Sequence, residues 1–415
     1  MNERLANEKI SKLLLSLAIP SILAQMVTLL YNLVDRIYIG RMEDGALAIA
    51  GIGLCSAIIT IIIAFTNLFG RGGAPLASIS LGADENDQAN KIISNCFSSL
   101  VLSSIVIMIV LYILGEEILL LFGASANTLS YAKDYLNIYL LGTIFVQLSV
   151  GMNYFINCQG YAKFGMLTLV IGGALNIILD PIFIFTLNMG VAGAALATII
   201  SQFVSFLWVM HFIFSKRSTI KIKKEYLFFD KIIMKRVLGL GISPFFMNST
   251  EGILQVCFNR QLLFFGGDIA VSSMTIMASM AQIVFLPMVI KVALTFSVIM
   301  VTLMELFPAL FVSMFTNDPE LMELGVKMLR VYIFGYIIGA NSSFQQIYTS
   351  LGEGKRSFFF AFYRKIILLI PLIYILPNFI SNGVLAVMLA EPVSDLLTTG
   401  TNAIFFKRFI NDKLK

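Results

Sequence analysis

Apolar runs of about twenty residues recur from one end of this 415-residue chain to the other. Each is long enough to cross a ~30 Å bilayer core as a helix. Charged residues make up only 13% of the chain, roughly half the share of a soluble domain. A transmembrane barrel would show alternating ten-residue segments, and the sequence has none. The pattern therefore predicts an all-α integral membrane protein. Arg4, Lys9 and Lys12 precede the first run, which opens at Leu13 and continues past Tyr31 without a small-residue cleavage pattern, so a retained first helix is expected. The net charge of +5 is explained by cytoplasmic lysine and arginine rather than by nucleic-acid binding. Cys55, Cys96, Cys158 and Cys257 are scattered through apolar sequence with neither metal-site nor disulfide spacing.

The chain also repeats itself. YLNIYLLG at 135–142 returns as MLRVYIFG at 328–335, an offset of 193, while LSLAIP at 15–20 returns as LGLGIS at 238–243, an offset of 223. Duplication of an apolar chain points to a transporter of two pseudo-symmetric six-helix bundles. Helices are expected at 13–40, 46–70, 92–114, 130–158, 164–186 and 190–214, then at 237–265, 269–288, 289–311, 322–350, 358–377 and 384–406. The N-terminal lobe is read as 1–225 and the C-terminal lobe as 226–415, joined by a linker at 215–236. That linker holds eight Lys/Arg against Glu225 and Asp230. Its basic character places it on the cytoplasmic side with the N-terminus, Lys163, Lys355-Arg356, Arg364-Lys365 and the C-terminal tail. Six crossings per half relate the lobes by an axis along the membrane normal.

The two offsets differ by 30 residues, so the second copy is short near 288–289. The missing counterpart corresponds to 66–95 of the first copy, the end of helix 2 and the entry to helix 3. Helices 8 and 9 are thereby truncated. Residues 269–311 as one straight helix would measure ~64 Å, twice a bilayer. Pro287 and the basic residues downstream favour a tight turn there.

Charges inside membrane helices are expensive, ~2.5–3.5 kcal/mol at the centre on insertion scales, and the first half contains two, Asp35 and Asp180. Counting from the outer helix ends at 1.5 Å per residue puts both at a depth of ~9 Å and Thr198 at ~12 Å. Asn176 lies one turn from Asp180 on the same face. Two carboxylates, an amide oxygen and a hydroxyl at one depth suit a hard cation such as sodium; the same acids, desolvated and close together, suit a proton. The competing reading pairs Asp35 with a basic neighbour and makes Asp180 the cap of an irregular turn beside Pro181.

LVDRIYIGRM at 33–42, NIILDPIFIF at 176–185 and GVAGAALAT at 190–198 resemble the multidrug and toxic compound extrusion (MATE) family. The likeness covers nearly the whole chain and is nearest to the bacterial MepA-like subgroup. It implies twelve helices in two lobes around a central cavity, and export of organic cations in exchange for sodium or protons. It also implies a bacterial cytoplasmic membrane location with both termini inside, no cofactor, and the ion site on Asp35, Asn176, Asp180 and Thr198. The family's segment around helix 8, which ends in a Tyr-Asn-Tyr-Gly-Ala-like turn, is absent here.

In the second half, Glu251 lies ten residues after Gly241, and Glu391 and Asp395 share a helix face. With Gln147, Asn153 and Gln345 these are candidates for a cavity that takes cationic drugs. Asn157, Gln159 and Gln346 are weaker candidates of the same kind. The alternative for the acids is pairing with Arg260 or tail lysines, and for the amides it is interhelical hydrogen bonding. The abundant Phe and Met suit a permissive pocket for flat cations. Glu305 and His211 are expected at the interface. Small drugs and membrane lipid are the expected partners, nucleic acid is not, and a monomer is expected. No glycine-rich loop ends in Lys-Ser or Lys-Thr, so neither direct ATP use nor an enzyme is expected. Two rivals share the helix pattern: a lipid-linked oligosaccharide flippase, and a homologue whose transport is impaired by the missing segment.

Overall fold

The computed structural model of the chain describes residues 10–284, 301–337, 358–360 and 362–413. Among these residues every regular element is a helix. Seven helices are long and apolar enough to cross a membrane, or eight if a bent pair counts as one span. The expected spans at 269–288, 289–311 and 322–350 extend outside the described set. Outside it also lie the expected turn near 288–289 with Pro287, and the candidates Gln345 and Gln346.

Helices α1 (Ile10–Gly40), α2 (Gly45–Gly82) and α3 (Asn86–Leu121) follow in order. α2 and α3 run beyond their expected ends because the polar stretch between the apolar runs is itself helical. The expected fourth helix is two, α4 (Leu129–Leu141) and α5 (Thr143–Cys158), bent by 58° at Gly142. α6 (Ala162–Pro181) passes into a π-helical turn at Ile182–Thr186, where Leu187 N–H reaches back to Ile182 O at 2.9 Å. α7 (Gly190–Phe214) closes the first copy.

The second copy opens with α8 (Lys231–Val284), which begins six residues before the expected start and so takes 231–236 from the linker. One residue interrupts it: Gly267, at φ 62° and ψ −164°, a conformation that favours glycine. The two helices expected at 237–265 and 269–288 thus part at a single glycine. α9 (Pro308–Ser313) follows a break at Phe307. α10 (Pro319–Ile337) starts on an Asp318 cap whose Oδ1 accepts the N–H groups of Glu320 and Leu321, each at 2.9 Å. A π-helical stretch, Tyr363–Leu369, leads into α11 (Ile370–Ile375), and α12 (Gly383–Lys413) ends the described chain.

Packing divides the chain into two compact units. The first gathers the described residues of 1–39, 58–119 and 130–249; the second gathers those of 40–57, 120–129 and 250–415. In the first unit, small residues let helices touch, as membrane interfaces require. A β-carbon at Gly72 would stand 3.0 Å from the Gly241 nitrogen of α8, and one at Gly70 would stand 3.1 Å from Gly151 of α5. Around these contacts Ile93, Leu100, Phe155, Phe212 and Val237 form a buried core. In the second unit, Arg41 donates to Asn317 Oδ1 and to Ser313 O, both at 2.7 Å.

Residues 215–230 differ from a solvated linker, because side chains of α3 and α5 hold their backbone. Gln159 Oε1 accepts from Thr219 N–H at 2.8 Å and from Ser218 Oγ at 3.1 Å. Asn90 Oδ1 accepts Lys221 N–H at 2.7 Å, and Ser94 Oγ accepts Lys223 N–H at 3.0 Å. Asn95 uses both ends: its Oδ1 accepts Asp230 N–H at 2.7 Å, and its amide donates to Tyr226 O at 3.2 Å. Asp87 receives Tyr226 Oη at 2.8 Å and Lys223 Nζ at 3.1 Å. Its carboxylate pushes the Lys223 ammonium above the usual lysine value and raises the Tyr226 phenol as well. Each amide satisfies a backbone group that would otherwise lack a partner.

Candidate ion site in the first unit

α1, α6 and α7 converge on four polar side chains. Asn176 and Asp180 share one face of α6 at i and i+4, and the Asn176 amide donates to Asp180 Oδ1 at 3.0 Å. The same Nδ2 lies 3.4 Å from Thr198 Oγ1 on α7. Asp35 on α1 is close enough for its charge to act on Asp180. α1 approaches through Gly173: a β-carbon there would stand 2.9 Å from Val27 and 3.1 Å from Tyr31. On the other side, one at Gly193 would stand 2.7 Å from the Phe183 backbone, in the π-helical turn that follows Pro181. Such turns interrupt the regular ladder and recur at functional sites.

The oxygens show what the site can do. Asp35 Oδ1, Asn176 Oδ1 and Asp180 Oδ2 are buried and have no hydrogen-bond donor. Asp180 is 0% exposed and Asn176 2%. Buried acceptors are nearly always satisfied, so three in one place call for a visiting donor. Two carboxylates, an amide oxygen and a hydroxyl form an oxygen-only set, the kind that a hard cation prefers and that a proton on either acid also satisfies. Sequence reasoning missed the aromatic surround. Tyr31 stands one turn before Asp35 and lies within the field of its charge. Tyr139 interacts with Tyr31 and stacks on Tyr135 with ring centroids 5.9 Å apart. The one-turn spacing of Tyr31 from Asp35 was the available signal.

The other candidates have different surroundings. Gln147 is 0% exposed, and its Oε1 accepts from Ser103 Oγ at 2.7 Å. Asn153 is buried and donates to Gly165 O at 3.1 Å. Both make interhelical hydrogen bonds inside the first unit, the alternative role for these amides. Gln159 holds the linker. In the second unit, Glu251 pairs with Lys365. Arg364 joins Glu391 at 2.9 Å and also contacts Asp395. The expected partners, Arg260 and the tail lysines, are therefore corrected to Arg364 and Lys365. That basic pair is 20% exposed and built into the unit, not a free loop signal. The cluster holds three acids and two bases.

A family model described as MatE matches residues 20–182 and 286–375, more than half of the chain. The chain belongs to the MatE family, the multidrug and toxic compound extrusion transporters. As a MatE protein it is a multi-pass membrane transporter and not an enzyme. It is 26% identical over 421 residues to "Multidrug export protein MepA" of Staphylococcus haemolyticus (strain JCSC1435), covering 94% of this chain and 92% of the relative. Among solved structures, the MATE multidrug transporter DinF-BH, in complex with a ligand, shares 32% identity at a TM-score of 0.79, covering 98% of this chain and 97% of that one. An inward-facing multidrug resistance MATE family transporter of the MOP superfamily superposes at a TM-score of 0.85 with 20% identity, over 96% of this chain and 98% of that one. The last likeness concerns the fold.

Proposed function

We propose that this MatE protein is a secondary antiporter that exports organic cations across a bacterial cytoplasmic membrane in exchange for sodium ions or protons. Asp35, Asn176, Asp180 and Thr198 form its coupling-ion site. The observation that carries this reading is the trio of buried acceptor oxygens without donors, two of them on the carboxylates Asp35 and Asp180. A sodium ion arriving there can ligate all three and a proton can take one, and either removes one unit of negative charge from the pair. α1 and α6 then repack, with Gly173 as the point of close approach and the π-helical turn after Pro181 as the compliant segment. Exchange requires that the two conformations bind the ion with different affinity, and a conformation that parts Asp35 on α1 from Asp180 on α6 would bind it less tightly. The repeat copies, 1–225 and 226–415, are the lobes that move, with both termini on the cytoplasmic side.

The test is ethidium efflux from proteoliposomes under separately imposed sodium and pH gradients. The unaltered chain should respond to one gradient. Asp35→Asn should insert normally yet abolish the response. Undiminished gradient-driven efflux by Asp35→Asn removes the mechanism.

A further inference from the structure

α2 carries an arginine that no carboxylate of the described chain meets. Residues 46–70 hold no charged side chain, and Arg71 ends that stretch. Its Nε donates to the Tyr154 hydroxyl at 3.0 Å, and that hydroxyl donates onward to Asn67 Oδ1 at 2.9 Å. The guanidinium carbon also lies 5.5 Å from the Tyr154 ring centroid. One edge of the guanidinium is thus fixed by an ordered phenol. The two terminal nitrogens, with four N–H groups, have no protein acceptor among the described residues.

The neighbouring glycines show which way Arg71 faces. Gly70 is spent on α5, Gly72 on Gly241 of α8, and Gly73 on Cys96 and Phe155. At 100° per residue, Arg71 occupies the quarter of α2 that none of these contacts covers. There a concavity of about 380 Å³ is lined by Arg71, Ala74, Pro75, Ser78, Tyr154 and Cys158. A proline at 75 cannot close the helical bond onto the Arg71 carbonyl. Ala74, the Pro75 ring and Cys158 make one wall of this space apolar, and the other carries an oriented cation that no described carboxylate meets.

We propose that Arg71 binds an oxyanion, a carboxylate or phosphate borne on an apolar body, in this concavity between α2 and α5. A planar guanidinium presents two parallel N–H bonds that match such a group, and the bond to Tyr154 keeps that edge turned to the ligand. Two sources share this chemistry: a soluble amphipathic organic anion and the headgroup of an anionic lipid. In the sequence, the second copy lacks the counterpart of 66–95, so the chain has no repeat-related equivalent of this position. The proposal uses no ion-site residue, and its test applies no gradient, so it stands or falls independently of the antiport reading.

The purified full-length chain in detergent is titrated calorimetrically with 1-naphthyl phosphate and with 1-naphthol, and its retention of phosphatidylglycerol is read by native mass spectrometry. Saturable binding of the phosphate but not the alcohol, weakened at least tenfold in Arg71→Ala and less in Arg71→Lys, is the expected result for a soluble ligand. Loss of phosphatidylglycerol from Arg71→Ala assigns the site to lipid. Tyr154→Phe keeps the cation but frees its edge, and should weaken whichever ligand binds. If the unaltered chain retains neither ligand, or if Arg71→Lys and Tyr154→Phe bind both unchanged, the proposal is overturned.

Discussion

Replacing Arg364 with methionine should destabilise the second unit severely, and the reason is the charge balance of one cluster. Glu251, Glu391 and Asp395 face Arg364 and Lys365. Arg364 serves two of the acids, and their side chains are 13% and 10% exposed. With Arg364 removed, three carboxylates face one ammonium. Breaking a buried pair by deleting one partner costs about 3–5 kcal/mol, because the remaining charge is left desolvated. Replacing the acids too should return much of that, since well-packed neutral groups of similar size often match an ion pair. The assay is the aggregation temperature of the detergent-solubilised protein, followed by fluorescence-detected size exclusion. Arg364→Met should lower it sharply. The triple change Arg364→Met, Glu391→Gln, Asp395→Asn should bring it back toward the unaltered chain, a coupling that a double-mutant cycle reads directly. If Arg364→Met melts with the unaltered protein, or if neutralising the acids makes it worse, the compensation argument is wrong.

Three further outcomes follow from the first unit. Asp180→Asn should abolish gradient-driven ethidium efflux from proteoliposomes with normal membrane insertion, because an amide cannot be discharged by a cation; retained efflux would exclude Asp180 from coupling. Gln159→Leu removes the acceptor for the Thr219 and Ile220 N–H groups and leaves the buried Ile220 donor unpaired at about 1–3 kcal/mol, so trypsin should cut after Lys216 or Arg217 faster than in the unaltered chain. Asp87→Asn should lower the titration midpoint of Lys223, read by 13C NMR of the methylated amine. The Asp87 carboxylate raises that pKa, so the anchor it provides is complete below the ordinary lysine value and lost as pH rises through the raised one.

The proposed ion site was legible as a candidate because its residues carry their own signals. Asp35 and Asp180 are charges in apolar helices, Asn176 is one turn from Asp180, and depth counting brings Thr198 to the same level. The bond from Asn176 to Asp180 needed only helical spacing. What stayed hidden were partnerships across long separations. Glu251 meets Lys365 across 114 residues and Glu391 meets Arg364 across 27. A basic pair at a helix start has the same local appearance whether it faces water or a carboxylate. The linker hid for a related reason. Its charges predict a solvated loop, while its attachment depends on Asn90, Ser94 and Asn95, uncharged residues some 130 positions earlier that signal nothing by themselves. The break at Gly267 fell between two expected helices, but periodicity alone cannot show that one left-handed residue makes it.

The stitched segment alters what a change of chain length does around 215–248. Residues 215–230 are sewn down, and immediately beyond them Lys231 begins a helix that carries Pro244 within it and runs to Gly267. Within the first unit, which reaches Ser249, the stitched segment therefore feeds straight into helix and not into a slack cord. Extra glycine and serine spliced between 227 and 229 would leave the helical register from Lys231 onward unchanged. One alanine added within 232–248 would turn every later side chain of that helix by 100° and advance it 1.5 Å. The same added length would be harmless in one place and ruinous a few residues on.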